Sequence, residues 1–244
     1  MTGAPQEIFA HRTCSAPAER SARMRDIALR HAPARPGIRV LDLGCGTGSL
    51  VFELADARPD AFVVGIDVSH ENIRAALERL AGTRCGDHVV FQQADYLTYA
   101  APPYDVIVTD GVLHLIAGST SALMSKLAHD LRAGGVLICA MPYDCAYNRA
   151  FAVVRRALRR IRGPATDAAI LTLARVLHGR EMDEGRLRER VHYMYIPPTR
   201  LETRSLTEEI APAAGLRLIA HYPMPNTSPS QLKHRVTVFE KRAS

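Results

Sequence analysis

The sequence predicts an α/β protein built on a doubly wound, mainly parallel sheet, and three observations predict it. Between Gly37 and Ala140, short apolar runs rich in β-branched residues alternate with amphipathic stretches of helical length. A glycine-rich loop, VLDLGCGTGSL at 40–50, joins the first run to the first of those stretches. The alternation stops after Met141 and resumes from Ser205, so a segment of different character interrupts one sheet domain.

In chain order, strands are expected at 38–43, 61–67, 88–93, 104–110 and 135–141, with helices at 48–57, 69–82 and 119–133. Ser69 and Ser119 can accept from the orphan N–H groups of a first helical turn, and Gly82 and Gly134 mark stops. Right-handed crossovers make such a chain doubly wound. Pro17 to His31 reads as an amphipathic helix packed on the sheet. Asn148–Arg162, Thr166–Leu177 and Asp183–Arg190 read as short helices broken at Gly163-Pro164 and Gly179, and Pro197-Pro198 ends them. A helix at 206–214 and strands at 215–222 and 234–241 complete the pattern. The expected domains are a core at 1–141, a helical insertion at 142–204 and a core-completing segment at 205–244.

Composition excludes several classes. No stretch approaches the roughly 20 uncharged apolar residues of a membrane span, and the first residues carry no export pattern, so a cytoplasmic protein without a membrane partner is expected. Five cysteines with no C-x-x-C spacing argue against a disulfide framework and a zinc site, and the ten histidines lack paired-ligand spacing, so no metal is expected. The net charge of +6 is local: residues 141–204 hold thirteen arginines against seven acids, and the remainder is neutral.

The glycine loop follows a strand pattern and opens a helix, the context that gives such a motif meaning. A dinucleotide fingerprint needs G-x-G-x-x-G, with pyrophosphate at the helix N-terminus. Here Gly44, Gly46 and Gly48 alternate, Ser49 stands at the third glycine position, and Asp42 precedes them. A carboxylate there repels a pyrophosphate but suits a sulfonium and an ammonium. Asp42 to Gly48 resembles the D-x-G-x-G-x-G motif of the class I S-adenosylmethionine-dependent methyltransferases. Asp67 in VVGIDVS, Asp95 in FQQADYLTY, YDVIVTDGVLHLI and LRAGGVLICAMP resemble that family's later motifs.

The resemblance implies a Rossmann-like seven-stranded sheet with an antiparallel last strand, a helical cap inserted after the fifth strand, and S-adenosylmethionine as cofactor. It implies cofactor contacts at Asp42, Gly44, Cys45, Gly46, Gly48, Asp67, Val68, Asp95, Tyr96 and Asp110. Asp67 would take the ribose hydroxyls and Asp95 the adenine amino group, with Val68 and Tyr96 walling the adenine. Taken alone, a strand-end aspartate such as Asp67 reads equally well as a helix cap.

The acceptor is less legible. In-line methyl transfer depends on alignment and desolvation, and a base is needed only where the acceptor must lose a proton. The amide-recognition motif N/D-P-P-Y/F is absent, since the fourth strand ends TDGVLH, and Cys139 lies in an apolar strand rather than after a proline. D-G-V-L-H-L resembles the small-molecule enzymes, including the trans-aconitate and quinone-ring types. Asp110, Gly111, His114, Tyr143 and Asp144 are expected to face the acceptor from the strand ends. His114, Tyr143 and His192 are the candidate catalytic residues; packing or capping explains each as well. Tyr193 and Tyr195 are expected on one face of an extended segment. Arg155, Arg156, Arg159 and Arg160 are expected on a solvated face opposite Val153, Val154 and Leu158.

The function expected is methyl transfer to a small metabolite, acidic acceptors included, with the insertion forming the acceptor pocket. The alternatives are an RNA or protein methyltransferase that uses the arginines, a cofactor-binding protein without turnover, and a nicotinamide oxidoreductase. A nucleic-acid partner is not favoured, and the insertion's outer face is open to a homodimer contact.

Overall fold

The computed structural model describes residues 16–100, 102–178, 187, 191–225 and 231–242. They divide into two compact units, one of residues 1–143 with 200–244 and one of residues 144–199.

The first unit is a seven-stranded sheet. Helix α1 (Ala18–His31) precedes β1 (Arg39–Leu43), α2 (Ser49–Ala57), β2 (Phe62–Asp67), α3 (His70–Leu80), β3 (Val89–Gln93), β4 (Tyr104–Asp110), α4 (Thr120–Asp130) and β5 (Leu131–Pro142). After the second unit come a π-helical turn, Leu206–Ile210, a short α-helical turn, Ala211–Ala213, and strands β6 (Leu216–Pro223) and β7 (His234–Lys241). The strand order is β3-β2-β1-β4-β5-β7-β6. The first five strands are parallel, and β7 runs antiparallel between β5 and β6. Strand order reverses between β1 and β4, which opens a crevice at their carboxyl ends.

Burial explains why these strands read as they do. The interior strands β1 and β4 are buried almost throughout, as parallel strands covered on both faces must be, while the edge strands β3 and β6 alternate. Two apolar layers flank the sheet. One joins Met24 and Ile27 of α1 and Val51 and Phe52 of α2 to Val40, Val63 and Val106. The other joins Leu123 and Leu127 of α4 and Leu206 to Leu41, Ile107 and Leu137. Ser69 and Ser119 cap α3 and α4, accepting from Asn72 N–H at 3.3 Å and Ala122 N–H at 3.4 Å.

Two boundaries differ from expectation. The helix expected to run to Ala133 ends at Asp130, because Leu131 pairs with Tyr104 and is buried as the first residue of β5. Gly134, at φ 71°, lies within that strand, where its register on β4 jumps between Leu131 and Val136, rather than at a helix end.

The second unit holds α5 (Ala146–Arg160) and α6 (Pro164–His178). Pro164 stands at the first position of α6, where its missing N–H costs nothing. The helix expected at 183–190 lies outside the described residues except for Leu187. The arginine face of α5 is corrected. Arg155 is 8% exposed while Val153 and Val154 are exposed, so the helix turns an arginine inward and its valines outward. The Arg155 guanidinium is held by the Ile196 carbonyl at 3.2 Å and lies 4.9 Å from the Phe151 ring centre. Burial lowers its pKa to about 10. Tyr193 and Tyr195 are corrected too: Met194 and Tyr195 N–H donate to the carbonyls of Val191 and His192, making a helical turn in which residues two apart do not share a face.

Candidate active site

The chain leaves β1 through three glycines with positive φ: Gly44 at 77°, Gly46 at 54° and Gly48 at 82°, the last capping α2. Only glycine adopts this alternation without strain. Gly44 and Cys45 N–H both donate to the Ile66 carbonyl, at 2.8 and 3.0 Å, and Gly46 N–H donates to Asp67 Oδ2 at 2.9 Å. The loop is thereby braced on the end of β2. Packing adds its own demand, since a Cβ at Gly44 would lie 2.3 Å from Val112 Cγ2 and one at Gly48 2.5 Å from Phe91 Cζ.

Asp67 ends β2 and is half-buried. Its Oδ1 accepts Ser69 N–H at 2.8 Å, so both carboxylate oxygens hold backbone while each keeps a second lone pair. The ribose-ligand and structural readings of this residue are compatible. Asp95 is exposed just beyond β3 and accepts Leu97 N–H at 3.0 Å. Asp67 and Asp95 are neighbours in space, because Asp67 registers with Gln93 and Ala94 N–H donates to its carbonyl. Val68 is half-buried between them in sequence, and its carbonyl accepts Gln93 Nε2. The Tyr96 side chain departs from its expected place as an adenine wall: it is buried in the core, with Lys126 Nζ 4.6 Å from its ring centre, and burial pushes its hydroxyl pKa well up. The apolar side chain left exposed beside Asp95 is Leu97.

Asp42 is 3% exposed at the sheet's reversal point. Its pKa rises to about 8, first through burial and then through the charges of Asp110 and Asp67. Among the described residues no ion pair reaches it. Asp110, at the end of β4, is gripped by Arg20 of α1 through Nε at 2.8 and 2.6 Å and through a second, shorter contact from the other guanidinium nitrogen. Both side chains are largely buried. Cys45 is buried, its thiol pKa raised by burial and by Asp42. Cys139 is likewise a buried core thiol.

Beyond Asp110 the chain turns at Gly111 and brings His114, 6% exposed, against His234 at the start of β7, with ring centres 5.6 Å apart. His234 Nδ1 is 2.7 Å from the Leu232 carbonyl, which can only accept, so Nδ1 is the donor of that bond. Tyr143, just past β5, is half-buried with the Arg235 guanidinium 5.4 Å from its ring centre. Arg235 is held by the fully buried Glu202, Nε to Oε1 2.6 Å, which also accepts Thr237 Oγ1 at 2.6 Å. His114 and Tyr143 thus stand at neighbouring strand ends. His192 and Asp144 belong to the second unit, where His192 Nδ1 lies 3.4 Å from Arg162 and Asp144 pairs with Arg149 at 2.5 and 2.7 Å.

Sequence reasoning missed Arg20, Glu202, His234 and Arg235. Each lies far in the chain from the glycine loop and outside any motif; only Arg20 left a signal, as a basic residue on a helix facing the sheet. Three carboxylates with one guanidinium among them fit a ligand that carries a sulfonium, an ammonium and a carboxylate, and they oppose a pyrophosphate.

Comparison with known proteins agrees. A family model described as a methyltransferase domain matches residues 34–170. The chain is 37% identical over 129 residues to a trans-aconitate 2-methyltransferase of Azoarcus sp. (strain BH72), covering 52% of this chain and 48% of that one. It is 33% identical over 157 residues to one of Methylobacterium nodulans, covering 64% and 56%. The chain therefore spans about half the length of the curated relatives it matches. A magnesium protoporphyrin IX methyltransferase from Synechocystis PCC 6803, solved with bound S-adenosylmethionine, shares the fold at TM-score 0.59 and 17% identity over 93% of this chain and 79% of that one. A glycine loop braced on a strand-end aspartate, carboxylates at the ends of β1, β2 and β4, and a family match over more than half its residues place this chain in the methyltransferase domain family, the class I S-adenosylmethionine-dependent methyltransferases.

Proposed function

We propose that this protein transfers a methyl group from S-adenosylmethionine to a small, anionic metabolite. The observation that carries the reading is the charge arrangement along the strand ends. Acids with one embedded arginine crowd the glycine loop, whereas His114, His234 and Arg235 gather beyond β4 and β5. A cationic cofactor suits the first group and a carboxylate-bearing acceptor the second.

Asp67 is assigned the cofactor's ribose and Asp95 its adenine, with Gly44, Cys45, Gly46, Gly48 and Val68 shaping the surface between. Asp42 and Asp110 are assigned its positive charges, and Arg20, already poised on Asp110, its carboxylate. When bound, the cofactor supplies a sulfonium methyl for in-line displacement. His114 and Tyr143, with His234 against the His114 ring, orient the acceptor. A carboxylate acceptor needs no base.

Product detection with tricarboxylates such as trans-aconitate, other carboxylates and RNA tests this directly. Methylation of a carboxylate that weakens in a His234→Gln variant supports the reading. Methylation of RNA alone, with binding that falls steeply as salt rises, replaces it with a macromolecular acceptor. Binding of S-adenosylmethionine without turnover of any acceptor class sinks the enzymatic part.

A further inference from the structure

Helix α5 is built inside out. Successive turns align Asn148, Ala152 and Arg155 with Arg159, and the first three are buried. The neighbouring row, Ala150, Val154, Ala157 and Ile161, repeats at the spacing of one helix face, is apolar, and is exposed throughout. Beside it runs a third exposed row: Arg149, Val153, Arg156 and Arg160. Helix α6 continues the pattern with Ala165, Ala169, Leu173 and Val176 exposed. Of the nine exposed large apolar side chains among the described residues, five lie between Val153 and Val176; the other four are scattered over the sheet unit. Ile161 is 64% exposed and Val176 78%. A helix whose purpose is only to be solvated places its apolar row inward.

Charge decides what covers this face. Residues 146–178 contain seven arginines and one acid, Asp167, whose Oδ1 is engaged by the Tyr195 hydroxyl at 2.5 Å; with Arg155 buried and Arg149 paired to Asp144, five arginines remain to set the sign of the surface. A second copy of the chain would set two arginine rows against each other at the cost of like-charge repulsion. Single-stranded nucleic acid is held by aromatic stacking, and the exposed side chains here are aliphatic. Aliphatic rows interleaved with arginine match an anionic lipid surface: apolar groups enter the acyl boundary while guanidinium groups stay with the phosphates. Each of α5 and α6 is 15 residues long, and no helix among the described residues is long and apolar enough to cross a membrane.

We propose that α5 and α6 form a peripheral docking face for anionic lipid bilayers. The expectation of no membrane partner rested on the lack of a spanning segment, which leaves a surface-lying pair of helices untouched. The proposal does not depend on the acceptor.

The chain contains no tryptophan, so one can be introduced as a sole reporter. Val176→Trp and Ile161→Trp are made separately in the full chain, with Leu77→Trp on α3 as an exposed control on the other unit. Each is titrated with phosphatidylcholine vesicles and with equimolar phosphatidylcholine and phosphatidylglycerol vesicles. A blue shift of both α5–α6 reporters on the anionic vesicles, none on the neutral ones and none for the control is expected. Val154→Ser in the reporter background should weaken vesicle affinity by about tenfold, the loss of one inserted apolar side chain. No shift on anionic vesicles overturns the proposal. So does an equal shift of the control, a vesicle affinity unchanged by Val154→Ser, a blue shift produced by RNA instead of lipid, or a vesicle-free, concentration-dependent shift that tracks dimer formation in sedimentation equilibrium.

Discussion

The ends of β1, β2 and β4 and the surface of α5 and α6 solve opposite problems with charge. At the strand ends acids are drawn into the fold: Asp42 is buried against two other carboxylates, and among the described residues Arg20 is the cation that grips them at Asp110. On the helices an arginine is drawn inward while valine, isoleucine and leucine are turned out. The first arrangement is unfavourable until a cation arrives, and the second until an apolar anionic surface does. Both are read most simply as sites that a partner completes.

The comparison breaks first at Asp67. Replacing it with alanine removes the two charge-assisted bonds assigned to the ribose hydroxyls, worth about 1.5–3 kcal/mol each, so S-adenosylmethionine affinity should fall by about two to four orders of magnitude. Calorimetry reads the loss, circular dichroism checks that the fold survives, and an unchanged affinity would remove Asp67 from the site. Next in size is Glu202→Ala, which leaves Arg235 and Thr237 without their buried acceptor. A destabilisation of roughly 2 kcal/mol is expected in urea unfolding, below the 3–5 of a fully buried pair because Arg235 is one-third exposed.

Asp42 sharpens the contrast through pH. Its folded pKa of about 8 lies above the ordinary aspartate value, so its contribution to stability is present in full below about pH 4 and is lost as pH rises through 8. Asp42→Asn should therefore raise the melting temperature most near pH 8 and above. In the wild type a cationic ligand favours the ionised form. Affinity for S-adenosylmethionine should rise by up to about tenfold per pH unit below 8, with a proton released on binding, and both effects should vanish in Asp42→Asn. Calorimetry in buffers of different ionisation enthalpy counts that proton; none released would contradict the assignment.

Smaller again is Arg20→Gln, for which about tenfold weaker binding of S-adenosylmethionine is expected, with methylthioadenosine, which lacks the amino-acid part, unaffected. Equal losses for both ligands would reduce Arg20 to a fastener of α1. Smallest of all is Ile161→Ser on α5, which should leave unfolding within about 0.5 kcal/mol of wild type, since the side chain already faces solvent. A large loss would mean that the apolar row is packed rather than displayed.

The strands and the glycine loop were legible because their signals are local. Period-two and period-3.6 patterns, Ser69 and Ser119 at helix starts, and D-x-G-x-G-x-G each occupy a few consecutive residues, and their physics is decided within that span. The arginine face of α5 was misread for the converse reason. Arg155, Arg156, Arg159 and Arg160 look alike in a helical projection, and only the Ile196 carbonyl and the Phe151 ring select Arg155 for burial. Tyr96 was misplaced because a residue beside a site aspartate can point either way from the chain, and here the core claims its ring.

By itself the sequence determined the α/β class, the order of the strands along the chain, and the aspartates at the ends of β1 and β2 and just beyond β3, because each is set by backbone geometry over one turn or one pleat. Tertiary structure alone decided that Arg20 closes on Asp110, that His234 meets His114, and that Glu202 holds Arg235 near Tyr143. Those pairs join residues from 33 to 120 positions apart, and the charge or ring that selects each partner exists as a neighbour only once the sheet has assembled.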